Sequence, residues 1–158
     1  MTSTSSQDIE IAELNSTIKV RIAPSKIHGV GIFAIMEIPK GTRCYCVPTA
    51  SGHKWYSVPW GSLNKLFPEV REIIVDQWPS IYNGSKFLSP NYTAWPILFM
   101  NHSSDPNFDN RSDRALKDIS KGEELLEDYR TMDNWKEVFP WIPEPFVVDN
   151  NKWYNKFI

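Results

Sequence analysis

Tyr129 and Glu127 stand two residues apart in GEELLEDY, Gly122 to Tyr129. In an extended segment that spacing puts Leu125, Glu127 and Tyr129 on one face, a phenol beside a carboxylate. Upstream, NHSSDPN at Asn101 to Asn107 is dense in side chains that satisfy their own turn backbone, with Pro106 fixing one φ. Directly before it the apolar ILFM, Ile97 to Met100, predicts a buried strand that delivers Asn101 and His102 rigidly to a site. Further upstream, His28-Gly29-Val30-Gly31 places two glycines one residue apart. Glycine accepts positive φ and close neighbours, so such a turn can offer bare N–H and C=O groups to a small molecule. Taken singly, each string also has a plain reading: a β-turn with a surface His28, an Asx-type loop, and a turn followed by a strand or a helix start.

The elements that would carry these strings are short. Residues 1–16 are polar and rich in Ser and Thr and read as a flexible arm. Alternation in IKVRIA from Ile18 predicts a half-buried strand stopped by Pro24, GVGIFAI a second, and RCYCV a third after the Pro39-Lys40-Gly41 turn. Between Ser62 and Trp78, Leu63, Leu66, Phe67, Val70, Ile73 and Ile74 recur at threes and fours, which predicts helix; Pro68 divides it into two pieces. ALKDI and the segment from Leu125 to Tyr129 read as further short strands. Many short strands with one helical insertion indicate a mostly β domain with minor helix.

Composition narrows the function classes. The 158 residues are 41% hydrophobic and 13% aromatic with seven Trp, enough for one folded domain with a core. A net charge of −2 with only scattered basic residues argues against direct nucleic-acid binding. No apolar run is long enough to span a membrane, and the first residues carry neither a basic start nor an apolar core segment. The expectation is a cytoplasmic protein, or a nuclear one in a eukaryotic or virus-infected cell. Cys44 and Cys46 are the sole cysteines, two ligands where a structural zinc site takes four, so no metal is expected. A disulfide between them is disfavoured, because strand positions two apart lie about 6.5–7 Å from each other on a stiff backbone.

In this order HGVGIFA, NHSSDPN and GEELLEDY resemble the motifs of the SET domain, the fold of most protein lysine methyltransferases, over a stretch from about Lys19 to Arg130. The resemblance implies a SET-type β-clip fold of small sheets with a C-terminal pseudoknot, in which the end of the domain (17–131, helical insertion about 62–78) passes beneath the NHSSDPN loop. It implies S-adenosylmethionine as cofactor, met by His28, Gly29, Val30 and Gly31 and held by Asn101 and His102. It makes Tyr129 the catalytic tyrosine and a lysine-bearing protein or peptide the substrate. Ser104 stands where the family often has Cys. Tyr92 and Trp141 are further cofactor candidates, and Glu127, Phe99 and Phe146 are candidates for the lysine channel.

Two departures matter. The family usually carries Tyr or Phe two residues before the catalytic tyrosine, and this chain has Glu127. A carboxylate facing the channel would hold lysine as an ammonium; otherwise it turns to solvent, or the pocket suits a more polar amine, or turnover is impaired. Family members with cysteine-rich flanks use zinc to complete the channel, whereas here residues 132–158 bring Trp135, Phe139, Trp141, Phe146, Trp153, Tyr154 and Phe157. These aromatics can close the cofactor and substrate site or simply cover a sheet edge. The alternative to an enzyme is a catalytically impaired SET-like module that binds cofactor or peptide. The oligomeric state is open, and a homodimer is compatible with the sequence.

Overall fold

The computed structural model describes residues 5–47, 56–77, 80–82, 85–88, 96–132 and 135–143. The chain opens with helix α1 (Ser6–Thr17), and this corrects the expected arm. Ser5 caps it, its hydroxyl accepting from Asp8 N and donating to the Asp8 carboxylate. Ile11, Leu14 and Ile18 then fall on one side and are buried. The polar residues that suggested a loose arm dock the helix instead. Gln7 donates to Ser62, Asp8 pairs with Lys65, and Asn15 gives its amide to Lys65 O and receives Phe67 N.

Strands β1 (Val20–Pro24) and β2 (Val30–Ala34) form an antiparallel hairpin with Val20 opposite Ala34 and Pro24 opposite Val30. RCYCV is not a third strand; Arg43 makes a single isolated bridge to Arg114. Tyr45 adopts φ 58°, a left-handed conformation that interrupts a ladder. A side chain takes over from strand pairing there: Asp113 accepts Cys46 N at 2.8 Å, Val47 N at 3.2 Å and the Arg43 guanidinium at 3.1 Å. Cys44 and Cys46 are buried free thiols, and burial pushes the Cys44 thiol up to about 12.

The insertion comes next. Strand β3 (Tyr56–Pro59) leads into a 3-10 helix at Trp60–Lys65, then helix α2 (Pro68–Gln77), so the helical region is in two pieces as the proline predicted. Pro68 starts the second, a position where its missing N–H costs nothing. Strands β4 (Ser80–Tyr82) and β5 (Ser85–Leu88) complete a sheet in the order β3-β5-β4. Ile11, Leu14, Ile18, Tyr56, Val58, Leu63, Leu66, Val70, Ile73 and Ile74 make one core, which joins α1 to this insertion.

ILFM differs from expectation too: Pro96–Phe99 is a 3-10 turn with Leu98 69% exposed, and the chain re-enters a sheet only at Asn101. Ile97 N reaches Cys46 O and Met100 N closes on Ile97 O, so these donors are spent locally and not across a ladder. Strand β6 (Asn101–His102) comes after this turn, then β7 (Phe108–Asp109) paired with β8 (Arg114–Ala115), and β9 (Glu124–Glu127). The last strand lies between β2, antiparallel, and β6, parallel, giving the order β1-β2-β9-β6. Tyr129–Thr131 is a 3-10 turn and Trp135–Val138 the short helix α3. A second core of Val20, Ile32, Ala34, Ile38, Met100, Phe108, Ala115, Ile119 and Leu125 lies under this sheet. Among the described residues no helix is long and apolar enough to cross a membrane.

Candidate functional site

Strand β9 gathers the three strings. Its register sets Asn101 beside Leu126 and His102 beside Glu127, while Ile32 and Phe33 of the glycine hairpin face Leu125 and Glu124. The two glycines serve different needs. Gly29 has φ +50° in open space, and at Gly31 a Cβ would fall onto the Glu124 carboxylate and within 3.2 Å of Asn101 Nδ2. Gly31 is therefore a packing glycine that lets three strands close around one amide.

That amide is Asn101, 7% exposed. Its Nδ2 donates to Val30 O at 3.0 Å, His28 O at 3.2 Å and Glu124 Oε1 at 2.8 Å. Three acceptors around the NH2 group fix which end of the amide is nitrogen. Oδ1 is then a buried acceptor, and among the described residues no donor reaches it. Glu124 also accepts from Ser25 Oγ at 2.9 Å, tying the loop before His28 to the same point. His28, Gly29 and Val30 are exposed at the turn.

His102 and Tyr129 form the second half. Tyr129 N donates to His102 Nδ1 at 3.2 Å, which leaves the proton of a neutral imidazole on Nε2. Burial pushes the imidazole pKa down; the Asp128 carboxylate, 3.8 Å from Nδ1, pulls the other way and does not prevail. Asp128 is instead engaged by Arg130, which donates from Nε at 2.8 Å and from its terminal nitrogen at 2.6 Å. The Tyr129 hydroxyl donates to Met100 O at 2.5 Å. Burial, and then the charge of Glu127, raise its pKa, so it stays a donor. Its ring lies 4.5 Å from Phe139 and 5.3 Å from His102, and Trp141 stands edge-on to His102 at 6.3 Å.

Glu127 does not turn to solvent: it is 2% exposed and accepts from Asn110 Nδ2 at 2.8 Å through Oε2. Burial pushes its carboxyl up from 4.5 to about 7, Asn110 pulls it down less, and Asp128 adds to the rise. The native state therefore holds this proton more tightly than the unfolded chain. Stability from this group is full below pH 4.5 and is lost as pH climbs through 7. The 2.5 pH units between 4.5 and 7 correspond to about 3 kcal/mol at 1.36 kcal/mol each. Urea unfolding should show wild type losing about this much relative to Glu127→Gln between pH 4.5 and 7.5; parallel pH curves for the two proteins would contradict it.

The structure thus brings together His28, Gly29, Val30, Gly31, Asn101, His102, Tyr129, Glu127 and Trp141. Phe99 is half-buried against the second core. Tyr92 and Phe146 lie outside the described residues. Tyr129 does not continue the strand, because β9 ends at Glu127 and Asp128 caps the turn that Tyr129 opens. Sequence reasoning passed over Glu124, Asn107, Asn110 and Asp113. The first two stood inside the motifs but read as turn residues, and the others carry no local signal.

The sequence model of the SET domain matches residues 29–130. No curated protein matches the chain. Among solved structures it is similar to a candidate histone methyltransferase of Plasmodium falciparum, with 22% identity and TM-score 0.34, covering 72% of this chain and 94% of that one. It is also similar to the Neurospora SET domain protein DIM-5, a histone lysine methyltransferase, with 20% identity and TM-score 0.34 over 80% of this chain and 57% of that one. A Chaetomium thermophilum Polycomb Repressive Complex 2 structure bound to S-adenosylmethionine shares 18% identity at TM-score 0.37, over 79% of this chain and 17% of that one. With Gly29 and Gly31, the Asn101–His102 strand and Tyr129 all inside the matched residues, the chain belongs to the SET domain family.

Proposed function

We propose that this protein is an S-adenosylmethionine-dependent protein lysine N-methyltransferase. The observation that carries the reading is Asn101: a buried amide whose donors are fully used and whose Oδ1, beside exposed loop backbone, is reached by no donor among the described residues. A buried acceptor without a donor costs about 1–3 kcal/mol, and the ammonium of a methionine-like group is the donor it suits. The backbone of His28–Val30 and the Nε2–H of His102 are the other polar groups available to such a ligand. When bound, S-adenosylmethionine supplies an electrophilic methyl group and a positive charge.

Lysine must arrive at that methyl as a neutral amine. With a pKa near 10.4 it gives up about 4.6 kcal/mol to be neutral at pH 7, a cost that an apolar, dry channel reduces. Alignment of nitrogen and methyl is then a matter of position. Tyr129 is suited to it, since its hydroxyl is anchored on Met100 O and its ring is held by Phe139 and His102. Phe139 and Trp141 are the C-terminal aromatics that support a wall over these groups.

Two measurements test the reading. Radiolabelled cofactor incubated with a panel of proteins should leave label on a lysine side chain. Titration calorimetry should show Asn101→Ala binding S-adenosylmethionine about 10- to 100-fold more weakly than wild type, the loss expected for one or two buried hydrogen bonds. Equal affinity would remove Asn101 from the cofactor site, and tight binding without label on any protein would favour a cofactor-binding module.

A further inference from the structure

Glu127 is a buried carboxyl in the position where the family has an aromatic ring, and its surroundings are those of a reactive group. Oε2 is anchored by Asn110 Nδ2 at 2.8 Å. Among the described residues Oε1 has no hydrogen-bond partner and no cation pairs with the carboxyl, although the side chain is 2% exposed. The described groups packed near it are neutral or already committed. On its own segment Asp128 is held by Arg130, and Tyr129 is a protonated phenol bonded to Met100 O. From the Arg43–Val47 segment comes the buried Cys46 thiol, whose pKa burial raises. From β6 comes neutral His102. From β7 comes Asp109, bonded to Arg111 N and Ser112 Oγ. The facing part of β2, Gly31 to Phe33, brings no charge.

A structural carboxyl would be expected to satisfy both oxygens or to be replaced by the apolar ring the position tolerates, because an unpaired buried acceptor is costly. We propose that Glu127 is the base of this site, Oε1 taking a proton from the ammonium of the target lysine. The inference rests on the methyl-transfer reading and names the group that prepares its nucleophile. The N–H bond breaks with its electron pair left on nitrogen, and an O–H bond forms on Oε1. The freed pair then forms the N–C bond as the C–S bond of the methyl donor breaks toward sulfur, giving a methylammonium and a neutral thioether. Glu127 passes its proton to water when the product leaves.

An ordinary carboxylate would be a poor base for lysine and would hold it as an inert ion pair. Burial removes much of that objection: it brings the carboxyl to about 7 and the same apolar surroundings lower the amine, so the two approach each other. Proton transfer then becomes nearly balanced, the condition in which a positioned base is most effective.

Methyl-transfer kinetics test it by comparing wild type with Glu127→Gln, which keeps the shape and the acceptor for Asn110, and Glu127→Asp, which keeps the base but withdraws it by one methylene. Wild-type kcat/KM, which reports the free enzyme, should fall tenfold per pH unit below about 7; Glu127→Gln should lower kcat roughly 10²- to 10⁴-fold at little change in KM and move that limb to higher pH, and Glu127→Asp should recover part of the rate. A Gln variant with kcat within threefold of wild type and an unmoved limb overturns the proposal. Independently of turnover, carbon-13 NMR of the cofactor-free protein should show butylammonium, the end of a lysine side chain, lowering the Glu127 titration midpoint by at least one pH unit. An unmoved midpoint also overturns it. If wild type labels no protein at all, the methyl-transfer reading fails and the base role falls with it, an outcome distinct from label transfer that ignores Glu127.

Discussion

Tyr129→Phe should reduce methyl transfer by roughly 100-fold or more, the size of effect that misplacement by about 1 Å has on a positioned reaction, while S-adenosylmethionine affinity stays within about threefold. The substitution removes one oxygen and little else. The ring remains held between Phe139 at 4.5 Å and His102 at 5.3 Å, and the backbone N–H of residue 129 still reaches His102 Nδ1. What is lost is the donor to Met100 O, at the junction between the 3-10 turn and β6. Met100 is 2% exposed, so its carbonyl has little access to water in compensation, and about 1–3 kcal/mol of stability should go with the hydroxyl. Steady-state kinetics over a range of substrate concentrations, at a temperature where both proteins are folded, separate the two effects: a fall in kcat with KM unchanged is the expected pattern. Turnover equal to wild type would show that the phenol is only a structural tie.

The motifs were legible because each is a local pattern, and the family comes from their order. HGVG, NHSSDPN and GEELLEDY meet on β9, and the helical insertion divides at Pro68 as its chemistry requires. Misreadings came where a tertiary partner decides. Residues 5–17 look like polar tail until Ser62, Lys65 and Phe67 supply partners for Gln7, Asp8 and Asn15, although Ser5 with Asp8 three residues on and the Ile11, Leu14, Ile18 spacing were signals of a capped helix. RCYCV alternates like a strand, but Asp113, some 70 residues away in sequence, takes the two amides that a ladder would have taken. ILFM is apolar enough for a strand, yet Pro96 opens a turn. Glu127 shows the opposite limit. The sequence located the departure, and only its bond to Asn110 and its burial show that the side chain lies inside.

Asn107→Ala should be among the most destabilising single changes in the chain, lowering stability by about 3–5 kcal/mol and the melting temperature by roughly 6–20 °C for a protein of this size. The side chain is 5% exposed and acts as a substitute strand for one edge of β9. Its Oδ1 accepts Leu126 N at 2.8 Å, and its Nδ2 donates to Glu124 O at 2.9 Å and Glu123 Oε1 at 3.0 Å. Its backbone adds a bond to Leu126 O at 3.1 Å and accepts Leu116 N at 2.7 Å. Alanine keeps the backbone bonds and strands the Leu126 amide and the Glu124 carbonyl beside the sheet interior. Because β9 carries Glu124, which fixes Asn101, and leads into Tyr129, the loss should reach the site as well: cofactor affinity should fall in the same variant even at temperatures where it is folded. Asn107→Asp separates the bonds, keeping an acceptor for Leu126 N while setting a carboxylate against Glu123 and the Glu124 carbonyl. Its stability should recover as pH falls and the new carboxyl protonates, whereas Asn107→Ala should show no such recovery. A melting temperature for Asn107→Ala within about 2 °C of wild type would mean that pairing with β2 and β6 alone holds β9 in place.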